Sequence, residues 1–276
     1  MQTQTHSGNT LPEQPGYFEA PGAHLYPVLH PVPDPIARFL LVGPFAAERH
    51  FSYHTWVRWA RYLAARRIEV LRYDYRGIGE STGVFEEMSF ADWSEDVQLL
   101  ADWFAHRSPG VPFVLHGLEL GAILAARSFH QGTGDALLMW SPPVNANQVL
   151  RSALLRWVGL EQLFDSPENT KTASEYIREL ERGSSIEVQG YQWLSHFWHD
   201  SFLFDLPATT KDEISASQAY EKPVKLVYFG KDATSLVMPY SRFSEAQDLS
   251  PLYSDNFNWV AKALALPTGG RNEGSD

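Results

Sequence analysis

The segment His116-Gly117-Leu118-Glu119-Leu120-Gly121-Ala122 has the glycine spacing of a nucleophile elbow, G-x-S-x-G, with an acid at the position of the attacking hydroxyl. An apolar run over residues 111–116 precedes it and an Ala- and Leu-rich stretch over 120–130 follows, so it reads as a strand-to-helix turn. The glycines permit a sharp turn that presents residue 119 beside the positive end of the following helix. Acyl transfer needs a neutral hydroxyl that loses its proton to a histidine as it attacks. A carboxylate has no such proton, and it puts negative charge where an oxyanion must be stabilised. Three readings of Glu119 are open. It is a nucleophile, a general base or ligand anchor, or an inert group whose carboxylate accepts hydrogen bonds from the backbone N–H groups of Phe45 and Leu120. A charged acceptor gains about 1.5–3 kcal/mol from such a bond, and the inert reading needs the least machinery.

Replacement bases are the next question. His50 and His54 lie at i, i+4, and His196, His199 and Asp200 lie close together in a later helical stretch. If chemistry survives, His54 or His199 folding over Glu119 is the first candidate, with His196 in the same pocket. A metal reading lacks a third ligand, and H-x-x-H-D is common by chance, so neither a metal nor another cofactor is expected. The plainer reading is an aromatic helix (Trp193, Phe197, Trp198, Phe202) packed on the core with histidines at its rim. In the turn-rich segment 74–81, Arg76 is expected to hold loop geometry through backbone carbonyls and Ser81 to act as a local cap.

The elements that position these groups follow from periodicity. Short apolar runs at 39–42, 68–73, 111–116, 136–140 and 224–229 read as strands. Helical spacing marks 52–66, 90–106, 120–130 and 256–265, with Asp92 and Glu95 as an expected capping box. Strands alternating with helices predict a parallel sheet with right-handed crossovers. Residues 144–215 break the rhythm with helical stretches and no convincing strand, which predicts a helical cap over the C-terminal edge of the sheet. Residues 1–22 read as a loose arm, 23–266 as one domain, and 267–276 as a frayed tail. The Pro-rich stretch 24–35 offers at most an edge strand or a turn.

Composition narrows the function classes. The chain has 276 residues and 44% hydrophobic residues, enough for a large core. Lys+Arg 22 against Asp+Glu 33 leaves a formal charge of −11, which repels phosphate backbones and argues against a nucleic-acid partner. Cysteine is absent, which excludes disulfides and thiolate chemistry. No stretch approaches the ~20 apolar residues of a membrane span. The first fifteen residues lack the pattern of a signal peptide, so a cytoplasmic location is expected. A small-molecule ligand or a protein partner, including a second copy of the chain, is compatible with this surface.

Taken together, these motifs resemble the α/β-hydrolase family. Val42-Gly43-Pro44-Phe45 stands where that family places its oxyanion loop. Asp74-Tyr75-Arg76-Gly77-Ile78-Gly79-Glu80-Ser81 is similar to the D-x-R-G-x-G-x-S turn of serine aminopeptidase-like members. Asp232, in Gly230-Lys231-Asp232, stands where the triad acid often lies. The Gly43–Glu48 loop, the Gly79-x-Ser81-Thr82-Gly83 turn and the elbow most resemble hydrolase-like proteins found near exosortase systems, some of which also lack an elbow serine. The resemblance implies an α/β-hydrolase fold over about residues 25–265, with Phe45 and Leu120 as oxyanion-type donors. It also implies a histidine ahead of the last helix, where this chain has Ser254-Asp255-Asn256-Phe257, and no histidine follows His199. Two readings result: a degraded hydrolase that binds a ligand or a protein, or a hydrolase of altered mechanism acting on a small ester, amide or halide-like substrate.

Overall fold

The computed structural model describes residues 11–45, 47–164, 170–228 and 248–267. Asp232, in its segment 229–247, lies outside the described residues, as does the tail after Pro267. In chain order the first half comprises β1 (Gln14–Pro15), β2 (Phe18–Ala20), β3 (Ala23–His30), β4 (Ala37–Val42), α1 (Ala47–Ala64), β5 (Ile68–Asp74), α2 (Phe90–His106), β6 (Phe113–Leu118) and α3 (Leu120–His130). The second half comprises β7 (Ala136–Trp140), α4 (Ala146–Phe164), α5 (Ala173–Glu181), β8 (Ile186–Val188), β9 (Tyr191–Trp193), α6 (Ser195–Asp200), α7 (Glu213–Tyr220), β10 (Val224–Val227) and α8 (Ser250–Ala263).

One sheet runs in the order β1-β3-β5-β4-β6-β7-β10, with β2 beside β3. From β5 to β10 all neighbours are parallel, and β3 joins β5 antiparallel. Every residue of β4, β6 and β7 is buried because helices cover both faces. Trp56, Trp59 and Leu63 of α1 and Tyr253 and Val260 of α8 pack on one face. Trp93, Val97 and Leu100 of α2 and Ile123 of α3 pack on the other. His116 is consumed by the first of these cores. Trp59 Nε1 donates to its Nδ1 at 3.0 Å, the rings of Trp56 and Trp140 flank it, and burial holds its pKa well below the ordinary value.

Several local expectations change. Residues 14–20 of the expected arm supply β1 and β2. β3 is not an edge: Pro27 lies opposite Tyr73 of β5, and its carbonyl accepts from Gly16 N at 3.1 Å. Proline lacks only the donor, so it sits in the ladder where its carbonyl is the group in use. α1 and α8 each begin earlier than their apolar spacing suggests. Glu48 supports the first turn of α1 and Pro251 that of α8. The α2 capping box is Ser89 with Asp92 rather than Asp92 with Glu95, since Ser89 is the residue in extended conformation. The insertion between β7 and β10 is not all helical. β8 and β9 pair through a turn with Gln189 and Gly190 at positive φ, too short for periodicity to reveal.

The glycine requirement at the elbow is steric. A Cβ on Gly121 would stand 2.0 Å from the Val42 carbonyl oxygen, and one on Gly117 would stand 2.3 Å from Ala122 Cα. Gly159, on the exposed side of α4, meets nothing within 4 Å. Gly121→Ala is therefore expected to destabilise the fold by about 3 kcal/mol or more, because backbone must move. Gly159→Ala is expected to stabilise it by about 0.5–1 kcal/mol through helix propensity. Urea denaturation of the two variants checks both signs.

Candidate functional site: a carboxylate pair at the elbow

Glu119 joins β6 to α3 with φ 51° and ψ −117°, a backbone conformation that costs a non-glycine residue about 1–3 kcal/mol. The turn is held by Glu119 N donating to Trp140 O at 2.9 Å and by Ala122 N donating to Glu119 O at 2.9 Å. The Glu119 carboxyl does not reach the backbone amides of Phe45 or Leu120. It makes no capping bond to α3, and its buried Oε2 has no hydrogen-bond partner among the described residues. The inert reading is corrected in its mechanism: the carboxyl points into a charged cluster rather than folding back onto the helix N-terminus.

That cluster consists of Glu48 and Arg156. Glu48, in the first turn of α1, is 0% exposed and forms an ion pair with Arg156 Nη2 from α4 of the insertion. Glu119 lies near enough to feel both, repelled by Glu48 and attracted by Arg156. Burial pushes the Glu119 carboxyl up to about 8, with the Glu48 charge adding to the rise. Burial raises Glu48 to about 7 against the pull of Arg156. Near neutral pH, two carboxyls facing one guanidinium hold close to one proton between them, so the cluster is nearly neutral. Sequence reasoning missed Glu48 and Arg156. Glu48 was legible only as a member of the 43–48 loop motif, and nothing about Arg156 sets it apart among the arginines.

Aromatic packing joins the loop after β4 to α2 and the insertion. Phe45, 1% exposed, stacks on Phe85 and packs against Trp93 of α2 and Tyr191, Trp193 and Phe197 of the insertion. Phe90 stacks on Phe197 at 4.7 Å. Tyr75 steadies the neighbouring loop by donating from its hydroxyl to Gly43 O at 2.6 Å. The turn at 74–83 is built around acids, not carbonyls as expected. Arg76 makes a two-pronged contact with the buried Asp96 and an ion pair with Asp92. Arg49 pairs with Asp74 at 2.6 Å. Ser81 does act locally, donating to Asp74 O and accepting from Tyr26 N.

The histidine candidates lie elsewhere. His50 and His54 are exposed on α1, and His196 and His199 are exposed on α6. None makes a hydrogen bond or ion pair with Glu119. Among the described residues no group of three or more His, Asp or Glu side chains is placed to hold a metal ion. Asn256, midway along α8, is buried and accepts from Trp140 Nε1 at 3.3 Å.

Residues 49–181 match the model of the family described as serine aminopeptidase, S33. No curated protein matches the sequence significantly. Among solved structures, Est1E from Butyrivibrio proteoclasticus with bound ferulic acid is similar over 91% of this chain and 99% of that chain, at 15% identity and a TM-score of 0.62. The α/β hydrolase GrgF from Penicillium sp. sh18 is similar over 93% and 100%, at 16% identity and a TM-score of 0.58. Alpha/beta hydrolase domain-containing protein 10 from mouse is similar over 90% and 99%, at 16% identity and a TM-score of 0.56. Likeness at such identity is one of fold, and the fold is that of the α/β hydrolases.

The raised carboxyl values give stability a definite pH dependence. Both groups bind a proton more tightly folded than unfolded, so their contribution is complete below about pH 4.5 and is lost as pH rises through about 7 to 8. Below about pH 6.5 the buried imidazoles of His30 and His116, which bind a proton less tightly folded than unfolded, oppose this trend. Unfolding free energy is therefore expected to fall between pH 6.5 and 8.5, with a local slope of up to about 1.4 kcal/mol per pH unit per proton. Glu119→Gln, which cannot ionise, should flatten that slope and raise stability at pH 8.5, as measured by urea denaturation. Arg156→Met leaves Glu48 without its counter-charge. It should cost about 3–5 kcal/mol at pH 8.5 and clearly less at pH 5.5, where the carboxyls are neutral.

Proposed function

We propose that this chain, whose fold is that of the α/β hydrolases, is a non-catalytic relative of those enzymes that works by binding a ligand or a protein partner. The observation that carries the reading is the half-buried Glu119, its carboxyl Oε2 closed off from solvent beside the Glu48–Arg156 ion pair. At neutral pH the Glu119 carboxyl is mostly protonated, so it is neither an ionised nucleophile nor an ionised base. It also lacks the hydroxyl that acyl transfer requires. In this reading Glu119 stands in for the family's serine, and the elbow holds the insertion down as a cap instead of presenting an attacking group. The exposed positions of His54, His196 and His199 support it, because none is in contact with the elbow carboxyl. The motif set at Gly43–Glu48, Gly79–Gly83 and the elbow supports a place in the exosortase-associated branch. The cysteine-free composition supports a cytoplasmic location, and no described helix is long and apolar enough to cross a membrane.

A second reading rests on one observation, the unpartnered Oε2 of Glu119. Once ionised, that oxygen has lone pairs free to activate water or to attack a small ester, amide or halide-like substrate. The two readings separate in one assay. Under the non-catalytic reading, p-nitrophenyl acetate turnover by the parent equals that of Glu119→Gln from pH 6 to 9, and Glu119→Ser alone gains little or no activity. A parent rate that climbs through pH 8 and collapses in Glu119→Gln would establish the second reading. Stoichiometric labelling of the parent by a fluorophosphonate, abolished by mutating one serine, would overturn both.

A further inference from the structure

A different cleft, at the far end of α3, carries a second set of unused chemistry. Arg127 lies eight residues after Glu119, about 12 Å along the helix at about 1.5 Å per residue. The cleft, of about 490 Å³, is lined by Arg127, His130 and Gln131 of α3 and by residues 203, 205–208 and 211 of the insertion. Arg127 lies over the Phe204 ring with its guanidinium carbon 4.4 Å from the centroid. Its side chain makes no ion pair or hydrogen bond with a described residue. Lys211 also has no ion-pair partner among the described residues, is exposed, and lines the same cleft. His130 has Nδ1 3.0 Å from the Tyr220 hydroxyl, which in turn contacts Thr209. That contact engages Nδ1 and leaves Nε2 uncommitted.

A guanidinium held by stacking, with all its donors uncommitted, is pre-organised to take an oxyanion in a two-pronged grip. Stacking already restricts the side chain, so less freedom is lost when a ligand binds. The local balance is positive on a protein of net charge −11. Arg127 and Lys211 oppose Asp205 and the negative end of α3, and His130 adds a donor. Leu203, Leu206, Pro207 and Ala208 give the cleft an apolar wall. We propose that this cleft binds a phosphomonoester with an apolar body: the phosphate between Arg127, Lys211 and His130 Nε2, the body against Leu206 and Pro207. The proposal does not depend on whether the elbow is catalytic.

The test is isothermal titration calorimetry of the full chain at pH 7 and low salt with phenyl phosphate, inorganic phosphate and benzoate. Phenyl phosphate is expected to bind one-to-one, more tightly than inorganic phosphate, which lacks the ring, and more tightly than benzoate, which carries one charge. Arg127→Met keeps an apolar side chain over Phe204 and should weaken phenyl phosphate binding at least tenfold. Lys211→Gln, an exposed change that leaves the fold intact, should weaken it several-fold. Amide chemical-shift changes on titration should concentrate at residues 127–131 and 203–211. Absence of saturable binding, affinity in both variants unchanged from the parent, or shift changes centred elsewhere would overturn the site. Benzoate binding as tightly as phenyl phosphate would overturn the phosphomonoester assignment.

Discussion

Two acids and one guanidinium, with Glu48 fully buried and Glu119 and Arg156 partly so, set the terms for the C-terminal edge of this sheet. Charge is expensive where water is excluded, so the cluster is tolerable only near neutrality. Arg156 matches one negative charge, and a retained proton removes the other. The two acids come from opposite sides of the crossing between β4 and β6, Glu48 at the start of α1 and Glu119 at the start of α3. The cation comes from a separate part of the chain, the insertion. The cluster therefore couples the insertion to the sheet through electrostatics, in addition to the aromatic packing around Phe45 and Phe197.

The backbone at the elbow imposes this arrangement. Gly121 packs against the carbonyls of Val42 and Gly43 so closely that no side chain fits. That approach aligns α3 with the loop after β4 and turns residue 119 into positive φ. In an acyl-transfer enzyme the same strain would hold a hydroxyl in place for attack. Here it projects a carboxyl toward Glu48, whose charge adds to the effect of burial in raising the proton affinity of Glu119. The surrounding polar contacts are likewise structural: Arg76 with Asp96, Arg49 with Asp74 and Tyr75 with Gly43 hold the loops that flank the elbow.

Much of the fold was legible because its signals are local. Apolar runs ended by glycine or proline marked β4 through β7, and 3.6-residue spacing marked α2 and α3. The signals that failed were those that depend on a partner. β3 carries Pro27 and is a strand only because β5 on one side and Gly16 on the other use its carbonyls. The β8–β9 hairpin is three residues per strand, below the length at which alternation is informative. Ser89 rather than Asp92 caps α2 because of where the chain enters the helix, which residue type alone does not specify.

The sequence by itself determined that residue 119 is an acid on an elbow, that no histidine follows His199, and that the chain is acidic and cysteine-free. These follow from residue identity and from spacings of a few residues, which local sterics translate directly into backbone geometry. Only the tertiary structure decided what the acid faces. Glu48 and Arg156 lie 71 residues before and 37 residues after Glu119. The proton affinity of a carboxyl depends on the charges and the water around it, not on its neighbours in sequence. Which groups share a buried volume is decided by how the insertion packs on the sheet, and no local pattern in the chain encodes that distance.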